Sequence, residues 1–262
     1  MKLYHGVTSV CSIKVRIGLA EIGLDYDEQV LDLQKGDQFD PTYLALNPNG
    51  VVPTLVDGDL VMGESSLILE YLDREYNDSR LMPVGRAAEF AARHWLLKCL
   101  AIHDAINSLT FSTVQREQIL AKKTAEEIAA SIALMPDPIK ALKREDLLKN
   151  GLDSIHVTQA LKILRRAFSD MDDALKHSTW ISGPDFGIAD IAVVPYIDRL
   201  ERLGFGALMR DTQISDWLTA MQARASYQTE VRGKIDPSAA EKMRSSGDRF
   251  WPVLEKSWTI TR

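Results

Sequence analysis

The sequence predicts an α+β chain of two domains, a small domain over residues 1–78 and an all-α domain over residues 86–262. Three observations lead to this prediction. Strand and helix patterns alternate through the first eighty residues. Asn, Asp, Ser, Pro and Gly then cluster between residues 77 and 85, which is typical of a linker. Beyond that point the hydrophobic periodicity is helical only, so the second domain is predicted to contain no sheet.

The N-terminal elements follow a definite order. Residues 2–5 and 26–32 suit short strands, and residues 12–23 between them have apolar side chains on one helical face and Gly23 as the C-cap. A weaker helix over 38–46 follows. The apolar run 51–62 turns at an Asp-Gly pair, which predicts a hairpin.

Helical spacing returns in residues 64–76. The full order is then β-α-β-α-β-β-α, with an antiparallel pair closing the sheet.

The second half of the chain is predicted to be a set of helices separated by Pro- and Gly-containing breaks. The predicted helices span residues 86–114, 122–134, 154–176, 187–202 and 212–224, with breaks at 136–138 and 149–153. The tail 236–262 is predicted to be a last helix plus an irregular strap. Its sequence is amphiphilic, with Trp251 and Trp258.

Composition and charge exclude several classes of function. The net charge is −6 over 262 residues with both signs interspersed, so neither nucleic acid nor a membrane surface is an expected partner. The N-terminus lacks a signal-peptide pattern and no run of about 18 apolar residues occurs, which predicts a cytoplasmic protein. Only Cys11 and Cys99 are present, far apart in sequence, which argues against a disulfide scaffold or a metal site.

The first candidate site is Ser9, Cys11 and Ser12, placed between the first strand and the first helix. A helix N-terminus offers unpaired N–H groups and a partial positive charge, both of which stabilise a thiolate or carboxylate. Half-ionising a thiol of pKa about 8.5 at pH 7 requires roughly 2 kcal/mol, which one hydroxyl donor plus the helix end can supply. The alternative is that both serines are N-caps and Cys11 fills a small buried space.

The second candidate site is the segment 47–53, in which Pro53 opens a strand. A cis bond between Val52 and Pro53 would turn the backbone N–H and C=O of Val52 outward, ready to pair with an extended peptide. The alternative is an ordinary trans proline on an edge strand.

The third candidate site is Glu64 and Ser65 at the start of the helix after the hairpin. The hydroxyl and N–H groups there form an anion site, and Glu64 can accept a hydrogen bond from an ammonium group, so a zwitterionic amino-acid end would satisfy both. A plain N-cap with a first-turn acid explains the same residues.

Taken together, these stretches resemble the N-terminal domain of glutathione transferases, a thioredoxin-like fold followed by an all-α domain. Residues 9–16 resemble the zeta-class motif and the motif of bacterial tetrachlorohydroquinone reductive dehalogenases, Ser-x-Cys-Ser-x-(Arg/Lys)-x-Arg. Residues 47–53 are similar to Asn-Pro-x-x-x-Val-Pro of the family, and Glu64-Ser65 to its (Gln/Glu)-Ser pair for the γ-glutamyl end.

The resemblance implies a transferase that uses glutathione as co-substrate and acts on an apolar or aromatic electrophile. Ser9 then matches the zeta-class catalytic serine, and Cys11 the dehalogenase cysteine. Val52 and Pro53 would bind the cysteinyl backbone of glutathione, and Glu64 and Ser65 its γ-glutamyl end. The resemblance also implies a homodimer and a role in detoxification.

Two alternatives stay open beside this function. One is a glutathione-dependent reductase or dehalogenase in which Cys11 forms a mixed disulfide, and the other is a catalytically silent binding module of the same fold. Val10 replaces a second serine that is common in zeta enzymes, and the stretch 113–154 is longer than a compact transferase needs. Both departures count against zeta-type isomerase activity.

Several other residues are interpreted as structural. Asp190 resembles the acid of the family's buried helix start, but Gly187 stands where the hydroxyl residue usually is, so the capping box is incomplete. Some polar side chains of the helix 86–114 lie near where the resemblance places the substrate site, and some aromatic ones could wall an apolar pocket, but such residues are more often hydrogen-bonded or core residues than catalytic ones. They are His103, Asp104, Asn107, Phe111, Tyr196, Trp251 and Trp258.

Overall fold

The computed structural model describes residues 1–210 and 212–260. The last two residues of the predicted helical domain, 261 and 262, lie outside the described residues. The N-terminal elements are β1 Lys2–His5, α1 Val10–Ile22, β2 Asp27–Val30, α2 Pro41–Leu46, β3 Thr54–Asp57, β4 Leu60–Met62 and α3 Ser65–Tyr76. The helices that follow are α4 Arg86–Ser112, α5 Val114–Lys122, α6 Ala125–Ala133, α7 Pro138–Asn150, α8 Ile155–Leu175, α9 Ile188–Arg202, α10 Gln213–Gln222, α11 Ala225–Tyr227, α12 Pro237–Asp248 and α13 Trp251–Ile260.

The sheet has four strands in the order β2-β1-β3-β4. Strand β1 runs parallel to β2 and antiparallel to β3, which pairs antiparallel with β4. Tyr4 faces Thr54 and Leu55 faces Met62, so the C-terminal ends of β1 and β4 and the N-terminal end of β3 share one edge. This edge carries the start of α1, the Pro53 segment and the start of α3, which are the three predicted sites.

Helix α1 lies between the sheet and the helical domain. Val15 and Leu19 pack with the sheet residues, whereas Val10, Ile13 and Ile17 belong to the large core of the helical domain. Every residue from Val10 to Leu19 is therefore buried except Cys11, which is half-buried. The helix ends at Gly23, whose φ of 77° is the left-handed conformation expected of a C-cap glycine.

The predicted fold class is confirmed, and three details of the helical half were wrong. Helix α5 was missed, and the predicted helix 122–134 corresponds to α6, which begins after Thr124 because that residue forms a capping box with Glu127. Helix α7 was missed. It starts at Pro138 with Asp137 as N-cap, a proline position that favours the first turn of a helix rather than a break. The tail from 236 forms α12 and α13 instead of one helix and an irregular strap.

The incomplete cap before α9 is completed from elsewhere in the chain. Asp190 accepts hydrogen bonds from the backbone of Gly187 and Ile181, at 3.1 and 2.8 Å, and from Trp217 Nε1 at 2.8 Å. The Ser182 hydroxyl accepts a bond from the backbone N–H of Ala189, as an N-cap hydroxyl would. A Cβ on Gly187 would lie 2.8 Å from that hydroxyl oxygen, so glycine is the residue that leaves room for it.

One buried and one half-buried ion pair join the sheet domain to the helical domain. Arg16 donates to the Glu230 carboxylate at 3.2 Å and to its backbone carbonyl at 2.9 Å. Arg224 forms a two-pronged pair with Glu21 at 2.7 Å for each nitrogen. Because bidentate contacts fix both distance and angle, these pairs set the position of α1 against the C-terminal helices.

Within the part of the chain that the structure describes, no helix is both long and apolar enough to cross a bilayer.

Candidate functional site

The serines at the start of α1 serve the helix end. Ser9 is the N-cap, and its hydroxyl oxygen accepts a bond from the backbone N–H of Ser12 at 3.4 Å. The Ser12 hydroxyl accepts from the backbone N–H of Gly6 at 3.3 Å and is fully buried. Ser9 is half-buried and keeps its hydroxyl proton, so it can still donate to a ligand at the helix end.

Cys11 lies against two side chains of the helical domain. Its Sγ is 3.4 Å from Nδ1 of His103 on α4 and 3.8 Å from the Tyr196 hydroxyl on α9. The rings of His103 and Tyr196 meet edge to face, with centroids 6.1 Å apart. The thiol is therefore held at the interface between the two domains, next to a group that can accept its proton.

The charges around Cys11 favour its thiolate. Burial raises the pKa of Cys11, but the charge and hydrogen bond of His103, the charge of Lys14 and a hydrogen bond from Ser65 outweigh it and bring the pKa to about 6. The charge of Cys11 in turn raises the pKa of His103. Each group thus stabilises the ionised form of the other, as in a thiolate–imidazolium pair.

Lys14 is a buried cation next to this pair. Its side chain is 1% exposed, its Nζ donates to the Ser66 hydroxyl at 2.9 Å, and it lies 5.1 Å from the centroid of the Tyr196 ring. Among the described residues it has no carboxylate partner. Burial raises the pKa of the nearby Cys99, which donates to the Ala192 carbonyl, so the second cysteine is kept as a thiol.

The segment before β3 exposes backbone groups. The Val52–Pro53 bond is cis. Asn47 Nδ2 and the Tyr43 hydroxyl both donate to the carbonyl of Val51, at 2.9 and 2.5 Å, and so hold the preceding residue in place. The N–H and C=O of Val52 have no hydrogen-bond partner among the described residues.

Helix α3 begins with an unusual backbone. Glu64 has φ 59°, in the left-handed region, and is exposed with no capping hydrogen bond of its own. Non-glycine residues in this region are uncommon and cluster at binding sites. Ser65, the first helical residue, is buried and contributes to lowering the pKa of Cys11.

The structure brings together Cys11 and Ser65 from the predicted set, and it assigns Ser9 a capping bond. Val52, Pro53 and Glu64 lie at the same sheet edge, and no hydrogen bond joins them to Cys11 in residues 1–210 and 212–260. The sequence analysis had set aside His103 and Tyr196 as structural, and the fold places both against the thiol. Helical spacing gave no signal for these contacts, because 92 and 185 residues separate them from Cys11.

A surface groove lies elsewhere. It has a volume of about 820 Å³ and is bordered by residues of α9, α12 and α13, including Arg202, Arg244 and Trp251. In the described part of the chain, no group of three or more His, Cys, Asp and Glu side chains could hold a metal ion.

Comparison with known families matches both halves of the chain. Residues 8–75 match "Glutathione S-transferase, N-terminal domain" and residues 145–223 match "Glutathione S-transferase, C-terminal domain". These segments cover just over half of the chain and leave residues 76–144 and 224–262 unmatched.

Individual similar proteins are named as glutathione S-transferases or as a reductive dehalogenase. The chain is 24% identical to glutathione S-transferase TCHQD of Arabidopsis thaliana, over 100% of the chain and 97% of that protein. It is 28% identical to a tetrachloro-p-hydroquinone reductive dehalogenase of Sphingobium chlorophenolicum, over 87% and 94%. With glutathione S-transferase Z1 of Arabidopsis thaliana it shares 38% identity over 48% of the chain and 57% of that protein.

Among solved structures, the β-etherase LigF of a Sphingobium species superposes with a TM-score of 0.77 at 22% identity. The match covers 89% of this chain and 100% of that one, and it establishes the shared fold.

Proposed function

Because the chain belongs to the glutathione S-transferase family, we propose that it transfers glutathione to an apolar or aromatic electrophile and stabilises the glutathione thiolate at the N-terminus of α1. The observation that carries this proposal is the cluster at that helix end. Ser9 supplies a hydroxyl donor, and Lys14 and His103 supply positive charge in a partly desolvated space. Preorganised donors and charges of this kind stabilise a thiolate without being consumed.

Glutathione would bind along the shared sheet edge. The unpaired N–H and C=O of Val52 would pair with its cysteinyl backbone, in the manner of an added strand beside cis Pro53. The exposed Glu64 carboxylate would accept from the α-ammonium of the γ-glutamyl end, and Ser65 and the N–H groups of α3 would bind its α-carboxylate.

In conjugation, the thiolate sulfur forms a bond to the electrophilic carbon, and the leaving group departs with the electron pair of the bond that breaks. Ser9 would donate its hydroxyl to the sulfur until that bond forms. A hydroxyl that already accepts from Ser12 is oriented for this role, since its proton is the free one.

Titration calorimetry of glutathione with the Ser65→Ala variant tests the binding mode. Losing a charge-assisted hydrogen bond should weaken binding by about 1.5 to 3 kcal/mol. Ser238→Ala, at an exposed position on α12, is the matched control and should bind like the unmodified protein. Unchanged affinity in Ser65→Ala would contradict the assignment.

A second candidate function is favoured by the Cys11–His103 contact. In a reductive reaction, the Cys11 thiolate attacks the sulfur of a glutathionyl substrate, and the carbon that loses the sulfur keeps the electron pair and takes up a proton. A mixed disulfide between Cys11 and glutathione results. The thiolate of a second glutathione then releases oxidised glutathione and restores Cys11.

Mass spectrometry after incubation with oxidised glutathione separates the two functions. The reductive function predicts one glutathionyl adduct on Cys11, lost in Cys11→Ser and retained in Cys99→Ser, because Cys99 is buried and stays protonated. If no adduct forms on Cys11 under forcing conditions, Ser9 is the working group and conjugation is the reaction.

We propose that the protein is a homodimer that contacts its copy through α3 and α4. Large apolar side chains are exposed on this face, with Leu67 58% exposed, Phe90 72%, Leu97 68% and Leu100 57%. Contiguous exposed apolar patches mark interaction surfaces. Light scattering at micromolar concentration should give twice the 29.3 kDa chain mass, and Leu97→Glu should give the monomer mass.

We also propose a cytoplasmic location, with a role in detoxification. Both cysteines are free thiols, and a glutathione-rich reducing compartment supplies the co-substrate and keeps them reduced. Fractionation of the source cells should find the protein with cytoplasmic markers, and recovery with membranes would contradict this.

A further inference from the structure

The long segment 113–154 connects the two walls of the thiol site. Its helix α7 packs on α4, the helix that carries His103. The connector before α7 reaches the segment that precedes Pro53, because a Cβ on Gly50 would lie 3.3 Å from Cγ of Pro136. The inserted helices therefore extend from α4 across to the glutathione-binding edge of the sheet.

Two cations of α7 face α4 and have different surroundings. Lys143 Nζ lies 2.5 Å from a carboxylate oxygen of Asp104, so its charge is matched. The Arg144 guanidinium carbon lies over the Phe111 ring, 3.2 Å from its centroid, which is a cation–π contact. Burial alone lowers the pKa of Arg144, to about 10, and no carboxylate among the described residues pairs with it.

Arg144 lies beside the row of α4 side chains that begins at the thiol. His103, Asn107 and Phe111 follow one another on successive turns, and all three are half-buried. With 1.5 Å of rise per residue, Phe111 is about 12 Å along the helix from His103. A substituted aromatic ring is of comparable length, so one ring could lie along this row of side chains.

The charges along this row are mostly positive. Lys14 and Arg144 lack acidic partners among the described residues, and His103 has a raised pKa. The acid of this region, Asp104, is already paired with Lys143. At the end of the row away from Cys11, an anionic group on a ligand would therefore meet Arg144, a cation whose N–H groups have no acceptor among the described residues.

From this arrangement we propose that Arg144 is a specificity-determining residue that selects an aromatic second substrate carrying a carboxylate or phenolate group. The reactive carbon lies towards Cys11 and Ser9, and the anionic group binds the N–H groups of the guanidinium that packs on Phe111. This inference rests on the proposed function, since it names the class of substrate that the same site accepts.

The test uses a matched pair of ligands that differ in charge alone. Calorimetry compares unreactive 3,5-dinitrobenzoate with 3,5-dinitrobenzamide, and kinetics compare 4-chloro-3,5-dinitrobenzoate with its amide in the presence of glutathione. The proteins are the unmodified chain, Arg144→Gln, Arg144→Lys and the control Lys143→Gln. We expect Arg144→Gln to weaken benzoate binding and lower its kcat/KM by about 10- to 100-fold, as loss of a charge-assisted contact does. The amide should change less than twofold.

Arg144→Lys should restore part of the benzoate effect, and Lys143→Gln should leave the ratio between the two ligands unchanged. Equal losses for benzoate and amide would show that Arg144 only packs on Phe111 and would overturn the proposal, as would no loss for either. If benzoate binding depends on Arg144 but neither chlorinated compound is turned over, the selectivity stands and the conjugating function fails.

Discussion

Two basic residues of α1, Lys14 and Arg16, are equally buried. Among the described residues, only Arg16 has an acidic partner. Arg16 is fully buried and donates to Glu230, to the carbonyls of Gly6 and Val7, and contacts His5. In the part of the chain that the structure describes, Lys14, two residues earlier, meets the Ser66 hydroxyl, the Tyr196 ring, the cysteines and His103, and no carboxylate.

The difference separates a structural charge from one available for chemistry. A buried guanidinium with every donor engaged is offset by its partners and fixes the domains to each other. A buried ammonium without a carboxylate costs free energy unless some other anion accompanies it. The thiolate of Cys11, or of bound glutathione, is the anion that this site can supply, so Lys14 and the thiolate stabilise each other.

Removing the charge of Arg16 should have the largest effect, and this effect is on the stability of the fold. Arg16→Met leaves the Glu230 carboxylate buried without its partner, so we expect the free energy of unfolding to fall by about 3 to 5 kcal/mol. Urea denaturation followed by circular dichroism measures this. Arg93→Met, which breaks an exposed pair with Glu70, should have only a small effect. Comparable losses of stability in both variants would contradict the prediction that the buried ion pair contributes more than the exposed one.

The second expected effect is on the reactivity of Cys11 when its neighbour His103 is replaced. With a pKa of about 6, the thiolate should persist above that pH and be lost as the pH falls through it, so alkylation by iodoacetamide should slow below pH 6. His103→Gln should raise the pKa of Cys11 by about one to two, equivalent to roughly 1.4 to 2.7 kcal/mol. Alkylation near pH 6.5 should then slow several-fold.

His94→Gln is the matched control, since His94 lies on the exposed face of the same helix. It should leave the alkylation profile unchanged. An unchanged profile in His103→Gln as well would mean that the imidazole does not stabilise the thiolate.

The smallest effect is expected for Lys14→Met. Its charge contributes less than His103 to lowering the pKa of Cys11, so the alkylation profile should move in the same direction by a smaller amount. Stability should stay the same or increase, because a desolvated ammonium without an acid partner is replaced by an apolar chain. A loss of stability as large as that of Arg16→Met would make Lys14 a structural residue too.

The N-terminal fold was predictable because its signals are local. Short strands, the Asp57-Gly58 turn and the Gly23 cap each act within a few residues, and the structure has the predicted order. In the helical half, local signals were also sufficient where they were recognised. Asp137-Pro138 is a helix start, and interpreting the proline as a break is what concealed α7.

Only part of the candidate site could be predicted, because some of its residues are far apart in sequence. Ser9, Cys11, Glu64 and Ser65 stand in short motifs whose chemistry is tied to helix ends, so sequence alone could propose them. His103 is one polar residue on a long amphipathic helix, and only the packing of α4 against α1 makes it a neighbour of Cys11.

The sequence by itself determined the element order, the helix ends that carry the candidate groups, and the family, because these depend on residues close together along the chain. The tertiary structure decided which buried basic residue has an acidic partner. Lys14 and Arg16 occupy the same motif, and nothing local distinguishes them. Glu230 meets one and Cys11 the other, because the C-terminal helices contact one side of α1 while α4 and α9 contact another.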